Sequence, residues 1–586
     1  MFQRVFVCLS VLVGLAGPAT AQTARDALHQ LFADEWAHSL EQDPINATYA
    51  GEHRFNDRLP DVSPGAIARR LEADNGFLAR LEAIDRVALT GQDRLSYDLF
   101  RFVVANRIQA AAFDTARVPL QSDSGFHTAI VRLHEAMPFR NQADYDTYLR
   151  RLEAVPDYMA GHIANLQRGA DDGFTLPREI LDGLEGSITA LVVDEASASP
   201  FYTPFTRYPD TIDAVAQDQL ALRAKAVIEG DVLPAYRRFH EFYRGIYKPA
   251  ARLTVGASDV PGGRELYAYL VRYFTTLNVT ADEVHQIGLG EVARIRAEME
   301  AIIAEVGFEG SFAEFLEFLR TDPQFYAETP EELLHFAAWV AKQIDGQMPA
   351  FFRTLPRMPY SVQPVPDDLA PNYTTGRYWP APIGGTRGGI YMVNTYGLDK
   401  RPLYNIPALT LHEGVPGHHH QIALSQELEG LPEFRRYLYL TPFGEGWGLY
   451  SEKLGVEMGI YDTPYKDFGR LTYEMWRACR LVVDTGLHAK GWSRQQAIDF
   501  LAGNTALSRH NVRTEIDRYI AWPGQALGYK MGELKILELR ARAREALGEK
   551  FDIRDFHDAL LINGALPLTM LEREIDGYIR RVGAGG

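Results

Sequence analysis

The sequence predicts a large, mainly α-helical protein of two lobes, with a small β-sheet element set beside one chemically active helix. Three observations predict it. Apolar residues recur at helical spacing over most of the chain. Two helix starts carry full capping signatures. One stretch, Gly389 to Tyr396, alternates as a β-strand does, just before a segment rich in histidine.

Taken in order, the chain begins MFQRVFVCLSVLVGLAGPATAQ. Arg4 precedes an apolar run from Val5 to Gly17, and Ala19-Thr20-Ala21 fits the small-x-small cleavage pattern. Residues 1–21 are expected to be a signal peptide, with a periplasmic or secreted mature protein beginning at Gln22. The run is shorter than the about 20 apolar residues of a membrane span. No later segment is apolar enough, so no membrane span is expected in the mature chain. Leu28, Leu31, Phe32, Trp36 and Leu40 then mark a first helix. Ala196 to Asp210, rich in turn formers and aromatics, reads as a long loop. Thr280 with Glu283 forms a capping box, and Thr329, Pro330 and Glu332 start another helix. Arg357 to Gly389 is dense in Pro, Gly and Tyr, and divides a helical N-terminal lobe (22–356) from a catalytic lobe (357–586).

Composition narrows the function. Lys and Arg number 60 against 77 Asp and Glu, a net charge of −17, which repels a phosphate backbone and excludes nucleic acid as partner. The hydrophobic fraction of 46% is ample for a large core. Of the two cysteines, Cys8 lies in the leader. Cys479 is then alone, and is expected to be a small buried residue of a helix.

The chemistry concentrates in LYNIPALTLHEGVPGHHHQIALSQEL. Zinc sites of hydrolases commonly place two histidines at i and i+4 on one helix, with a glutamate after the first as base. Here His412 and Glu413 are present, but position 416 is proline and the next histidines are His418, His419 and His420. Seven residues of helix rise about 10.5 Å, too far for two rings that each approach zinc to about 2.0–2.1 Å. A straight helix therefore fails for every choice of second histidine. Gly414, Pro416 and Gly417 supply the break. A bulge there would bring His418 to the place of i+4, with His419 the second choice and His420 on the outer face. The third ligand is expected downstream, in TPFGEGWGLYSEKLGVEM. Glu445 comes first, since Gly444, Gly446 and Gly448 allow close backbone approach. Glu452, seven residues on, comes second, its other reading being a solvated surface acid.

HEGVPGHHHQ, EGWGLYSE, RACRLVVDTGLH and DRYIAWPGQALGYKMGE together resemble the bacterial family catalogued as domain of unknown function 885, over about Thr280 to Leu568. That family is in turn similar to helical gluzincin peptidases of the carboxypeptidase Taq, thimet oligopeptidase and angiotensin-converting enzyme groups. The resemblance implies a zincin-like metallopeptidase fold, with a strand before the His-Glu helix and a glutamate ligand some two dozen residues later. GIYMVNTY and Glu445 match that plan; the spacing of the second histidine departs from it. The similar peptidases steady the oxyanion with a downstream tyrosine, and Tyr519 and Tyr529 are both candidates here. His510, Arg518 and Lys530 are candidates for a substrate carboxylate. Arg477, Arg480, Asp484 and His488 share one helix face, where Asp484 and His488 stand at i+4 and could bond directly. They would either support the metal or form a structural polar network. Asn394 and Tyr396 are expected to face the cleft, with substrate adding beside their strand.

The expected function is zinc-dependent hydrolysis of a peptide bond, with one Zn2+ held by His412, His418 and Glu445 and with Glu413 as general base. A non-peptide amide or ester hydrolase and an inactive helical binding protein are the alternatives. The retained Glu413 argues against the last.

Overall fold

The computed structural model describes residues 18–367, 369–382 and 387–585. The leader, Cys8 included, lies outside the described residues as far as residue 17. The first helix, α1 (Pro18–Gln42), buries Leu28, Leu31, Phe32 and Leu40, as their spacing predicts, and lies against the helical segments 64–82, 91–111 and 433–437, with Phe32 on Phe100 and Phe434. Helices dominate from there. The stretch 196–210, read as a loop, contains two short 3-10 turns, because Pro200 and Pro204 leave too few free N–H groups for a longer helix.

Four further helices frame the centre of the molecule. Helix α2 spans Gly263–Thr275 and α3 spans Ala281–Glu305, whose capping box is formed as expected: the Thr280 hydroxyl accepts from the Glu283 N–H at 3.2 Å, and the Glu283 carboxylate accepts from the Thr280 N–H at 2.8 Å. Helix α4 (Pro330–Phe351) starts on Thr329, which accepts from the Glu332 N–H at 3.1 Å. The fourth frame helix, which follows the sheet in sequence, runs through 464–489 and is buried on nearly every face, Cys479 included.

The sheet has three strands, β1 (Tyr360–Pro364), β2 (Gly376–Trp379) and β3 (Gly389–Val393), in the order β1-β3-β2. β3 runs parallel to β1, with Tyr360 opposite Gly389, and antiparallel to β2, with Tyr378 opposite Tyr391. Its alternation is the one the sequence shows. Tyr391 and Val393 enter the main core, while Ile390 and Met392 pack under Val365 and Ala370. With partners on both sides, β3 has no free edge for a substrate strand, which corrects that expectation; the outer edges belong to β1 and β2.

After the sheet come α5 (Ile406–Glu413), α6 (His418–Glu427), α7 (Thr441–Glu457), α8 (Pro464–Ala489), α9 (Arg509–Ala521), α10 (Leu527–Leu547) and α11 (Ile553–Leu561). Helix α3 lies along α8, and α7 along α10. The two largest apolar cores each draw residues from both sides of residue 357, so that boundary does not separate two cores. No helix among the described residues is long and apolar enough to cross a membrane.

Candidate functional site

Helix α5 ends at Glu413 because Gly414 leaves helical geometry and Pro416 has no N–H to return to the His412 carbonyl. The bulge expected here is a full break: α5 stops, Gly414 to Gly417 turn, and α6 starts afresh at His418. The turn is fixed by the Gly417 N–H on the Leu411 carbonyl (3.0 Å) and by Trp447 Nε1, which donates to the Pro416 carbonyl (2.7 Å). The break sets the His412 and His418 rings nearly perpendicular, with centroids 4.7 Å apart.

Glu445, on the second turn of α7, completes the convergence. His412 Nε2 and His418 Nε2 each lie 3.3 Å from Glu445 Oε2, and the three ligand atoms lie within 4.8 Å of one another. Tetrahedral bonds of about 2.0–2.1 Å would separate neighbouring ligand atoms by about 3.3–3.4 Å, so this donor set fits one zinc-sized cation. Two of the glycines around Glu445 allow the approach. A Cβ on Gly448 would stand 2.6 Å from His412 Cε1, and one on Gly446 would stand 2.5 Å from Gly532 Cα of α10.

Glu452 is neither ligand nor surface acid. It is buried, and its Oε1 accepts from His412 Nδ1 at 2.8 Å while Arg477 Nη2 holds the same oxygen at 3.3 Å. The Nδ1 bond to Glu452 fixes the orientation of the ring and turns Nε2 toward Glu445. Burial opposes a charged imidazole, but the bonds to Glu445 and Glu452 outweigh it and raise His412 to about 10. The site thus attracts positive charge. His418 lacks a matching brace: its Nδ1 is buried with no partner among the described residues.

The other two histidines point elsewhere. His419 Nδ1 meets the Tyr378 hydroxyl at 3.0 Å and its ring packs on Tyr360. His420, expected on the outer face, is fully buried against Phe352, because α6 is covered on that side by α11. Glu413 lines the same cavity as the three ligand residues, and its Oε2 accepts from the Tyr378 N–H of β2 at 2.8 Å. The sheet element therefore positions the candidate base.

The cavity measures about 1080 Å³. Tyr529 lines it beneath the Arg480 guanidinium, 4.2 Å from the ring centre. Tyr519 does not line it. Its hydroxyl accepts from Trp476 Nε1 and Arg480 Nε, both at 2.8 Å, and bonds Glu515, so every hydrogen-bonding position is taken and the oxyanion role expected for it is withdrawn. Asp484 and His488 do not bond each other. Asp484 accepts from the Tyr267 hydroxyl and the Gly524 N–H, and burial raises it to about 7. His488 accepts from the Ala257 N–H and donates to the Tyr519 carbonyl. Asn394 is buried on the Ala370, Tyr373 and Thr374 carbonyls rather than facing the cavity, which Tyr396 does line. His510 and Arg518 line the cavity, whereas Lys530 is buried outside it, among Glu291, Glu474 and Glu533.

Tyr439 escaped sequence reading. Its hydroxyl donates to Glu445 Oε1 at 3.0 Å, leaving Oε2 for the two histidines. The one available signal was its place two residues before α7.

The model of the family described as "Bacterial protein of unknown function (DUF885)" matches residues 44–575. The chain belongs to this family. Two solved structures extend the comparison. One, titled as the "putative lipoprotein from Colwellia psychrerythraea", is 28% identical, covers 96% of this chain and 100% of its own, and superposes with a TM-score of 0.88. Another, a "putative lipoprotein of unknown function from Shewanella oneidensis", is 17% identical over 94% of this chain and 99% of its own, with a TM-score of 0.73, and shares the fold of this DUF885 protein. No curated protein matches the DUF885 chain.

Proposed function

We propose that this DUF885 protein is an exported metal-dependent hydrolase of peptide bonds, with a zincin-like two-lobed plan around a cleft. The observation that carries the reading is the convergence of His412 Nε2, His418 Nε2 and Glu445 Oε2 in a cavity that Glu413 also lines. Neutral imidazoles and a carboxylate are the donors Zn2+ favours. A divalent cation there would supply Lewis acidity toward a substrate carbonyl and toward water. Glu413, held by the Tyr378 N–H, is placed to take a proton from water and return it to the leaving amine. Glu452 keeps His412 in its ligating tautomer, and Tyr439 fixes the rotation of Glu445. Tyr529 is the remaining tyrosine for the oxyanion. Export is supported by the leader-like N-terminus and by the titles of the two structural neighbours.

The test is metal content of the purified protein beside His418→Ala and His419→Ala, followed by a panel of peptides, amides and esters. About one zinc per chain, lost in His418→Ala and kept in His419→Ala, with peptide cleavage abolished by Glu413→Gln, is the expected result. A wild type that holds no metal after zinc is added back would sink the reading. Cleavage of esters or small amides but not peptides would move it to the non-peptide hydrolase.

A further inference from the structure

The proposed function leaves the charge of the cavity unexplained. Apart from Glu413 and Glu445, its walls carry six permanent cations, Arg377, Lys400, Arg401, Arg477, Arg480 and Arg518, against two carboxylates, Asp123 and Glu515. The imbalance opposes the net charge of −17 on the whole chain. Glu515 is shared, at 3.0 Å by Arg480 and 3.3 Å by Arg518, and Arg477 has Glu452. Arg401 has no carboxylate within ion-pair distance among the described residues. It is 9% exposed, and among the described residues its Nε has no partner and its one side-chain hydrogen bond is a long 3.4 Å approach to Thr375 Oγ1, with Asp399 acting only from beyond ion-pair distance. Arg480 Nη1 is likewise buried and unpartnered.

A guanidinium buried with no carboxylate in ion-pair distance is costly, and folds retain such groups where a ligand supplies the missing charge. Guanidinium is also the group best suited to a planar carboxylate, which it meets with two parallel N–H donors. Arg401 borders Thr375, the residue before β2, the strand whose Tyr378 N–H holds Glu413. A bound carboxylate would therefore sit on the wall that also carries the candidate base. We propose that this cavity selects substrates bearing a free carboxylate, the C-terminal carboxylate of a short peptide, and that Arg401 is its principal anchor. This rests on the hydrolase reading for the identity of the cavity as a substrate site, but its test does not need turnover.

The test uses the full chain as Glu413→Gln, which keeps an acceptor for the Tyr378 N–H and blocks the proposed chemistry. N-acetyl dipeptides ending in Ala, Phe or Lys, each as free acid and as C-terminal amide, are titrated by calorimetry. The expected result is at least tenfold tighter binding of acids than amides, erased in an added Arg401→Gln and partly kept in Arg401→Lys. Equal binding of acid and amide, or binding of neither, overturns the proposal. Discrimination that persists in Arg401→Gln overturns the assignment to Arg401. If Arg401→Gln does not fold, the acid-against-amide comparison in the parent still decides the substrate class. Failure of hydrolysis alone shows as a wild type without turnover whose parent variant still prefers acids.

Discussion

Two buried clusters of carboxylates flank α7 and α8, and they differ in who supplies the cation. In one, Glu291, Glu474 and Glu533 surround Lys530 Nζ at 3.0, 2.8 and 2.5 Å, with Arg294 adding a second positive charge to Glu291 and Glu474. The ammonium is resident, and the surrounding acids hold Lys530 protonated against its burial. In the other, Glu413, Glu445 and Glu452 gather around two imidazoles; Arg477 reaches Glu452, but no Lys or Arg among the described residues pairs with Glu413 or Glu445. The first cluster is closed and outside the cavity; the second opens into it. Similar acids thus build a structural tie where the chain brings its own cation, and the proposed metal site where it does not.

The sharpest way to break this contrast is to remove the resident cation. Lys530→Met strands Glu533, which is fully buried with no other cation in ion-pair distance among the described residues, and should cost about 3–5 kcal/mol of stability, read as a lower urea midpoint; an unchanged midpoint would mean the cluster is no tie. In the open cluster, Glu452→Gln should leave the fold intact but weaken metal binding about 10–100-fold, measured by chelator competition. Acid probes two buried histidines outside both clusters, one on α8 and one on α11. Burial holds His488 at about 4 and His557 at about 3, against 6.5 unfolded, so both are neutral in the fold. The unfolded chain binds more protons below pH 6.5. Their stabilisation is therefore full above pH 6.5 and is lost as pH falls toward 4, by about 1.4 kcal/mol per pH unit for each histidine; a flat urea midpoint between pH 6.5 and 5 would contradict it. The smallest effect is expected for Tyr439→Phe, which removes one hydrogen bond from Glu445 and should weaken metal binding by about 0.5–1.5 kcal/mol.

Much of this was legible in the sequence. The capping box of Thr280 and Glu283 marked the start of α3 and the Thr329 cap that of α4, the alternation of Ile390 to Val393 marked β3, and Gly414, Pro416 and Gly417 required a discontinuity between His412 and His418. Local signals have local causes, and those survive folding. What the sequence could not reveal depends on contacts between distant segments. Spacing puts Glu445 and Glu452 on one face of α7 but does not say which meets Nε2 of His412 and which meets Nδ1. Tyr519 and Tyr529 look equivalent until α8 brings the N–H groups of Trp476 and Arg480 onto the hydroxyl of Tyr519. His420 looks peripheral until α11 covers it, and Arg401 carries no motif at all.

The crossing of α7 and α10 bears on how such a site stays accurate. Gly446 and Gly532 bring the two backbones into direct contact one residue from Glu445 and three from Tyr529. The gap between these helices is thereby set by main-chain atoms, whose dimensions do not vary with rotamer. The crossing works as a gauge block: a methyl group at either glycine would shim the helices apart and carry Glu445 away from His412 without altering a single donor.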